Sequence, residues 1–136
     1  MKNDRTQVFL ITGASSGIGE SCAYELIRQG VCVVLFARRE ERLREVHSKI
    51  EKSHPGQSIY CVGDVRVRAD LDQAVSKAVS KWGRLDGLLA NAGFGVSGRF
   101  EKLTIDDFKR QFDTNVYGVL ESIYACLSEI KKTKEK

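Results

Sequence analysis

Short runs of β-branched and apolar residues alternate along the chain with longer stretches whose apolar positions recur every three or four residues. Val8-Phe9-Leu10-Ile11 is the first run and ends at Thr12-Gly13. The period then becomes helical, with Ile18, Cys22, Ala23, Leu26 and Ile27 on one face and Gly30 as the stop. Val31 to Phe36 is apolar throughout, Glu40 to Lys52 is charged and helical, and His54-Pro55-Gly56 breaks that helix. Ser58 to Val62 predicts a third strand, and Val67 to Trp82 a helix buried through Leu71, Val75, Ala78 and Val79. Leu85 to Ala90 predicts a fourth strand. Thr104-Ile105-Asp106-Asp107 has the capping-box pattern and opens a long helix. Its apolar stripe is Phe108, Phe112, Val116, Val119, Leu120, Ile123, Leu127 and Ile130.

Strands that are apolar on both faces need cover on both, so the sheet is expected to be parallel with helices above and below. Strand–helix alternation gives right-handed βαβ units and a doubly wound α/β fold of Rossmann type. The expected strand order is 3-2-1-4, which leaves strand 4 at an edge.

Composition narrows the functional classes. Apolar residues make up 42% and charged residues 29% of the 136, an ordinary globular balance with room for one domain. The longest apolar run, Val31 to Ala37, is far shorter than the ~20 residues that span a bilayer. No apolar leader follows Met1, so a cytoplasmic protein is expected. The net charge is +4, but +3 of it sits in the last six residues, Lys131 to Lys136. A solvated, frayed tail accounts for that better than a phosphate-tracking surface, so no nucleic-acid partner is expected. Cys22, Cys32, Cys61 and Cys126, with His47 and His54, show no metal-ligand spacing, and reduced thiols are expected.

The chemistry begins at Thr12-Gly13-Ala14-Ser15-Ser16-Gly17-Ile18-Gly19, between the first strand and the first helix. Gly13 permits a tight exit from the strand, Gly17 removes a Cβ from the path of a pyrophosphate, and Gly19 allows close helix–strand packing. The helix N-terminus offers N–H groups and partial positive charge, and Ser15 and Ser16 add hydroxyls. A P-loop is excluded because Glu20, not Lys, follows Gly19.

This turn resembles the cofactor turn of the short-chain dehydrogenase/reductase family, and further matches follow in the family's order. Asp64, with Val65 beside it, follows the third strand, where the resemblance implies a carboxylate meeting the adenine ring. Asn91-Ala92-Gly93 follows the fourth strand and is similar to the family's Asn-Ala-Gly signature. Asn115 resembles the Asn of the catalytic tetrad, which the resemblance implies acts through a water held by a freed backbone carbonyl. Asp113, Thr114, Asn115 and Val116 are poor helix formers in mid-helix, so a kink is expected there. The amide of Asn91 is expected to tie strand ends together, and Gly93 to permit close approach of the cofactor.

An NAD site would carry Asp or Glu at the end of the second strand to bind ribose hydroxyls. That place reads Phe36-Ala37-Arg38-Arg39, and two guanidinium groups suit a 2′-phosphate, so NADP(H) is expected over NAD(H). Many NADP-preferring relatives also carry a basic residue in the glycine turn, where this chain has Ser16. Arg38 also argues against a methyltransferase, whose nucleoside ribose calls for an acid at this place.

The resemblance further implies hydride transfer to or from a small carbonyl or alcohol substrate, with a Ser and a Tyr-x-x-x-Lys beyond a fifth strand. None of Tyr24, Tyr60, Tyr117 and Tyr124 has Lys four residues on. The expectation is therefore the cofactor-binding half of a short-chain oxidoreductase, inactive by itself. The alternative is a non-catalytic NADP(H)-binding module. The 104–132 helix, with Phe and Tyr side chains left uncovered, is expected to favour association. The loop Phe94 to Phe100 is expected near the cofactor, but it names no substrate.

Overall fold

The computed structural model describes residues 6–135. The sequence readings at Met1 to Arg5 and at Lys136 lie outside the described residues. The elements are β1 (Val8–Thr12), α1 (Gly17–Arg28), β2 (Cys32–Ala37), α2 (Glu40–Ser53), β3 (Ser58–Val62), α3 (Arg68–Trp82), β4 (Gly87–Leu89), α4 (Ile105–Phe112) and α5 (Gly118–Lys134). A single 3₁₀ turn, Phe100–Lys102, precedes α4, and a π turn, Asp113–Tyr117, joins α4 to α5.

The four strands form one parallel sheet in the order β3-β2-β1-β4, as the alternation predicts. All six residues of β2 are buried, and they divide by parity. Cys32, Val34 and Phe36 join Val8, Leu10, Leu71, Val75 and Cys126 in one core, while Val33, Leu35 and Ala37 join Ile11, Ala23, Ile27, Leu43 and Ile50 in the other. A central parallel strand has no wet face, which is why its sequence lacks polar alternation.

β4 is shorter than the run Leu85 to Ala90. Asp86 N–H still reaches the Val8 carbonyl at 2.8 Å, and Leu85 is fully buried, but only Gly87, Leu88 and Leu89 form the ladder with β1. The approach is close: a Cβ on Gly87 would stand 2.7 Å from the Phe9 ring. Among the described residues β4 pairs on one side only, with β1.

Two helix faces differ from their predicted ones. On α1 the buried residues are Gly19, Ala23 and Ile27, whereas Ile18 is exposed at the helix mouth. On α5 the buried row is Gly118, Ser122 and Cys126, and burial pushes the Cys126 thiol up to about 12. Phe112, Val116, Leu120, Ile123 and Leu127, half of the predicted stripe and more, lie exposed. Small residues win the inner face because the backbone runs close to its neighbours; a Cβ on Gly118 would meet Val65 Cγ2 at 2.6 Å. Lys131, Lys132 and Lys134 belong to the last turn of α5 rather than to a frayed tail, and cations are favourable at that end of a helix dipole.

Candidate cofactor site

The site is built where β1 stops. Thr12 is buried, and its Oγ1 accepts the N–H groups of both Asn91 and Ala92, each at 3.0 Å. The Asn91 Nδ2 donates to the Gly13 carbonyl at 3.3 Å, so this amide does tie the ends of β1 and β4. Gly13 turns the chain at φ +66°, and a Cβ there would lie 3.0 Å from both Ala92 Cα and Asn91 Nδ2. A Cβ on Gly19 would sit 2.3 Å from the Gly13 carbonyl oxygen, so α1 packs directly on the turn. Gly17 has φ +56° and nothing within 4 Å of its would-be Cβ; it faces open space.

The mouth of α1 keeps its donors. Ser16 occupies the N-cap position in an extended conformation but makes no side-chain cap bond. The first-turn N–H groups have no carbonyl partner within a helix, and here no cap side chain takes them. The Ser16 Oγ instead accepts from Arg39 Nη2 at 3.3 Å, which brings a guanidinium from the end of β2 against the glycine turn. Arg42 and Arg44 pair with Glu45 and Glu40 of their own helix. No such ion pair holds Arg38 or Arg39 among the described residues, and both line the cavity.

Asp64 follows β3 and forms an Asx turn rather than a helix cap. Its Oδ1 accepts the Arg66 N–H at 2.9 Å, and Arg66 Nη2 and Nε donate to Oδ2 at 2.7 and 3.2 Å. The Arg66 guanidinium beside it holds the Asp64 carboxyl below its ordinary value, despite partial burial. Its own N–H donates to Asp70 Oδ2 at 3.0 Å, which fixes the turn.

The kink expected in the long helix is the π turn Asp113–Tyr117, in which the Gly118 N–H reaches back to the Asp113 carbonyl. It carries Asn115, whose Oδ1 accepts the Phe94 N–H at 3.0 Å while Nδ2 donates to the Phe94 carbonyl at 2.7 Å. This gives Gly93 a different reason for its missing side chain. A Cβ there would meet Asn115 Oδ1 at 2.9 Å, so it is Asn115 that approaches closely.

These parts surround one cavity of about 540 Å³ at the carboxyl ends of the strands. Gly13, Ser15, Ser16, Ile18, Arg38, Arg39, Asp64, Val65, Asn91, Ala92 and Gly93 all line it. Gly17 and Gly19 do not: Gly19 packs against the Gly13 carbonyl, and Gly17 stands between the lining residues Ser16 and Ile18. Asn115 stands one residue from the lining, at Thr114, and acts through the Phe94 backbone. Sequence reasoning missed Phe36, Ala37 and Gly63 in the wall, although Ala37 and Gly63 adjoin predicted site residues and Phe36 lies two positions before Arg38. It also missed Thr114 as a wall residue, although the run of poor helix formers around it marks the kink, and it missed the role of Thr12 in bonding Asn91 and Ala92.

A glycine turn, an open helix mouth and strand ends converging on one crevice define a Rossmann-type nucleotide-binding fold. The short chain dehydrogenase family matches residues 7–135, and the chain belongs to it. Among curated relatives, the 11-beta-hydroxysteroid dehydrogenase-like protein 4A of Arabidopsis thaliana is 39% identical over 131 residues, covering 96% of this chain and 44% of that protein. An uncharacterized oxidoreductase of Listeria innocua, Lin0452, is 37% identical over 123 residues, 90% of this chain and 49% of its own. The chain thus spans about half the length of the curated relatives it matches. Among solved structures, an alcohol dehydrogenase from Thermococcus sibiricus complexed with 5-hydroxy-NADP superposes with a TM-score of 0.87 at 32% identity, over 94% of this chain and 55% of that one. A 3-ketoacyl-(acyl-carrier-protein) reductase from Brucella melitensis complexed with NADH also gives 0.87 at 32% identity, over 95% and 52%.

Proposed function

We propose that the chain is the NADP(H)-binding half of an oxidoreductase that moves hydride between a nicotinamide and a small carbonyl or alcohol substrate. The observation that carries this reading is the pair Arg38 and Arg39 lining the cavity, with Arg39 bonded to Ser16. A basic residue in the glycine turn is missing from the sequence, and Arg39 brings its charge to that place from β2. The donor set fits a polyanion: first-turn N–H groups of α1, two hydroxyls and two guanidinium groups on one cavity.

The bound dinucleotide would supply the hydride. Around it, Ser15, Ser16 and the α1 mouth hold the diphosphate, Arg38 and Arg39 take the 2′-phosphate, and Asp64 and Val65 lie along the adenine. Asn91, Ala92 and Gly93 form the wall leading toward the reacting end, and Asn115 positions that wall through Phe94. These 136 residues contain no Tyr-x-x-x-Lys, so they bind without turning over. Residues 1–136 form a single, incomplete domain in this reading. The exposed row on α4 and α5 suits association with a second copy. The four free cysteines fit a reducing compartment, and we place the protein in the cytoplasm.

Calorimetric titration of the 136-residue chain with NADPH and NADH tests the reading. Binding of NADPH at least tenfold tighter than NADH is expected, with no oxidation of NADPH in the presence of simple ketones. A folded chain with no affinity for either would overturn the assignment; tighter NADH binding would overturn the choice of coenzyme.

A further inference from the structure

The carboxylate expected to read the adenine amino group is already engaged. A carboxylate offers about four acceptor positions. At Asp64, Oδ1 accepts the Arg66 backbone N–H at 2.9 Å and Arg66 Nε at 3.1 Å, while Oδ2 accepts Nη2 at 2.7 Å and shares Nε at 3.2 Å. The two residues are separated by one position within a single tight turn, so forming this clamp closes almost no loop. It is a fork-on-carboxylate pair, the stronger kind of ionic hydrogen bond, and the Asp64 side chain is only 20% exposed. Arg38, at the end of the neighbouring strand β2, adds its charge. Arg66 uses two of its five donors on Asp64, its side chain is 44% exposed, and it has no other ion pair among the described residues.

We propose that Arg66 sets the base selectivity of the site: by occupying Asp64 and pairing its charge, it makes the adenine pocket tolerant of purines with a 6-oxo group. This rests on the dinucleotide-binding reading above. A bare Asp64 would accept from a 6-amino group and repel a 6-oxo group, whose oxygen is itself an acceptor. With Arg66 in place the carboxylate's charge is paired, so it repels the oxygen less, and the amino group meets a carboxylate with one acceptor position left at most. Discrimination between the two bases is thereby reduced.

The test compares NADPH with the reduced nicotinamide hypoxanthine dinucleotide phosphate, titrated calorimetrically into the parent chain, Arg66→Ala and Arg66→Ala/Asp64→Asn. The parent is expected to bind the two within about threefold of each other. Arg66→Ala is expected to prefer the adenine form by about tenfold or more, the scale of one hydrogen bond to a charged acceptor. The double variant is expected to lose that preference. Arg66→Lys, which keeps the charge and gives up the fork, serves as a second variant and is expected to fall between parent and Arg66→Ala. A parent that already favours adenine tenfold, or an Arg66→Ala variant with an unchanged ratio, overturns the inference while leaving dinucleotide binding intact. Failure of the folded parent to bind either compound overturns the dinucleotide reading and this inference with it.

Discussion

The side-chain amide of Asn115 lies across the peptide of Phe94 and satisfies both of its polar groups, at 3.0 and 2.7 Å. The contact spans 21 residues and joins the π turn to the loop that leaves β4. Through it the loop is held at the cavity wall, since Phe94 itself lines the cavity.

Replacing Asn115 by Ala removes one donor and one acceptor from a part-exposed pair. The expected loss is about 1–2 kcal/mol, two ordinary hydrogen bonds at the lower end of their range. Hydrogen exchange at the Phe94 amide should accelerate while amides of α3 stay protected. Unchanged exchange at Phe94 would show that the loop is held by other contacts.

The glycines of the turn separate into two kinds. Gly19→Ala places a methyl group 2.3 Å from a backbone oxygen that cannot rotate away, and about 3 kcal/mol of destabilisation is expected. Gly17→Ala meets no atom, and only its positive φ costs energy, about 1–2 kcal/mol. Urea midpoints should therefore fall further for Gly19→Ala. Coenzyme affinity, measured on the folded fraction, should fall further for Gly17→Ala, whose new methyl enters open space between the cavity-lining Ser16 and Ile18.

Arg38 stands at the end of β2 with no ion-pair partner among the described residues. Arg38→Asp is expected to weaken NADPH binding by about 1.5–3 kcal/mol, the scale of a charged hydrogen bond, and to leave NADH binding at least as tight. Titration of both coenzymes against both chains decides it. Equal NADPH affinity in variant and parent removes Arg38 from the 2′-phosphate site.

Acid should destabilise the chain through its paired carboxylates. Asp86 is buried, which raises its pKa, but Arg84 and the Val8 N–H donate to it and carry it below the usual carboxylate value. Asp64 is shifted in the same direction by Arg66, and Asp107 by the Thr104 N–H and Arg110. A folded pKa below the unfolded value of about 3.9 means that the stabilisation is complete above that pH and disappears as pH falls through the folded value. Urea midpoints should be flat from neutral pH to about 5 and fall below about 4. Asp86→Asn should cost about 2 kcal/mol at neutral pH, less than a fully buried pair because Arg84 is part-exposed, and should shrink the acid decline. Acid declines of equal size in parent and variant would exclude Asp86 as a contributor.

The fold class, the strand order and most of the cavity wall could be read from the chain itself. Each depends on local chemistry: an apolar run with no polar alternation, a Gly turn between strand and helix, an Arg pair at a strand end. The capping box at Thr104 is of the same kind, with Asp107 N–H bonded to Thr104 Oγ1 at 3.2 Å and Thr104 N–H to Asp107 Oδ2 at 2.9 Å. Three features were decided only by tertiary packing. The inner face of α5 went to Gly118, Ser122 and Cys126 because hydrophobicity ranks side chains, whereas close approach of backbones ranks them by size. Gly93 is small on account of Asn115, a residue 22 positions away that no local pattern connects to it. Asp64 belongs to Arg66 before any ligand arrives, because hydrogen-bond capacity is visible in a sequence but its allocation depends on which groups the folded chain brings within 3 Å.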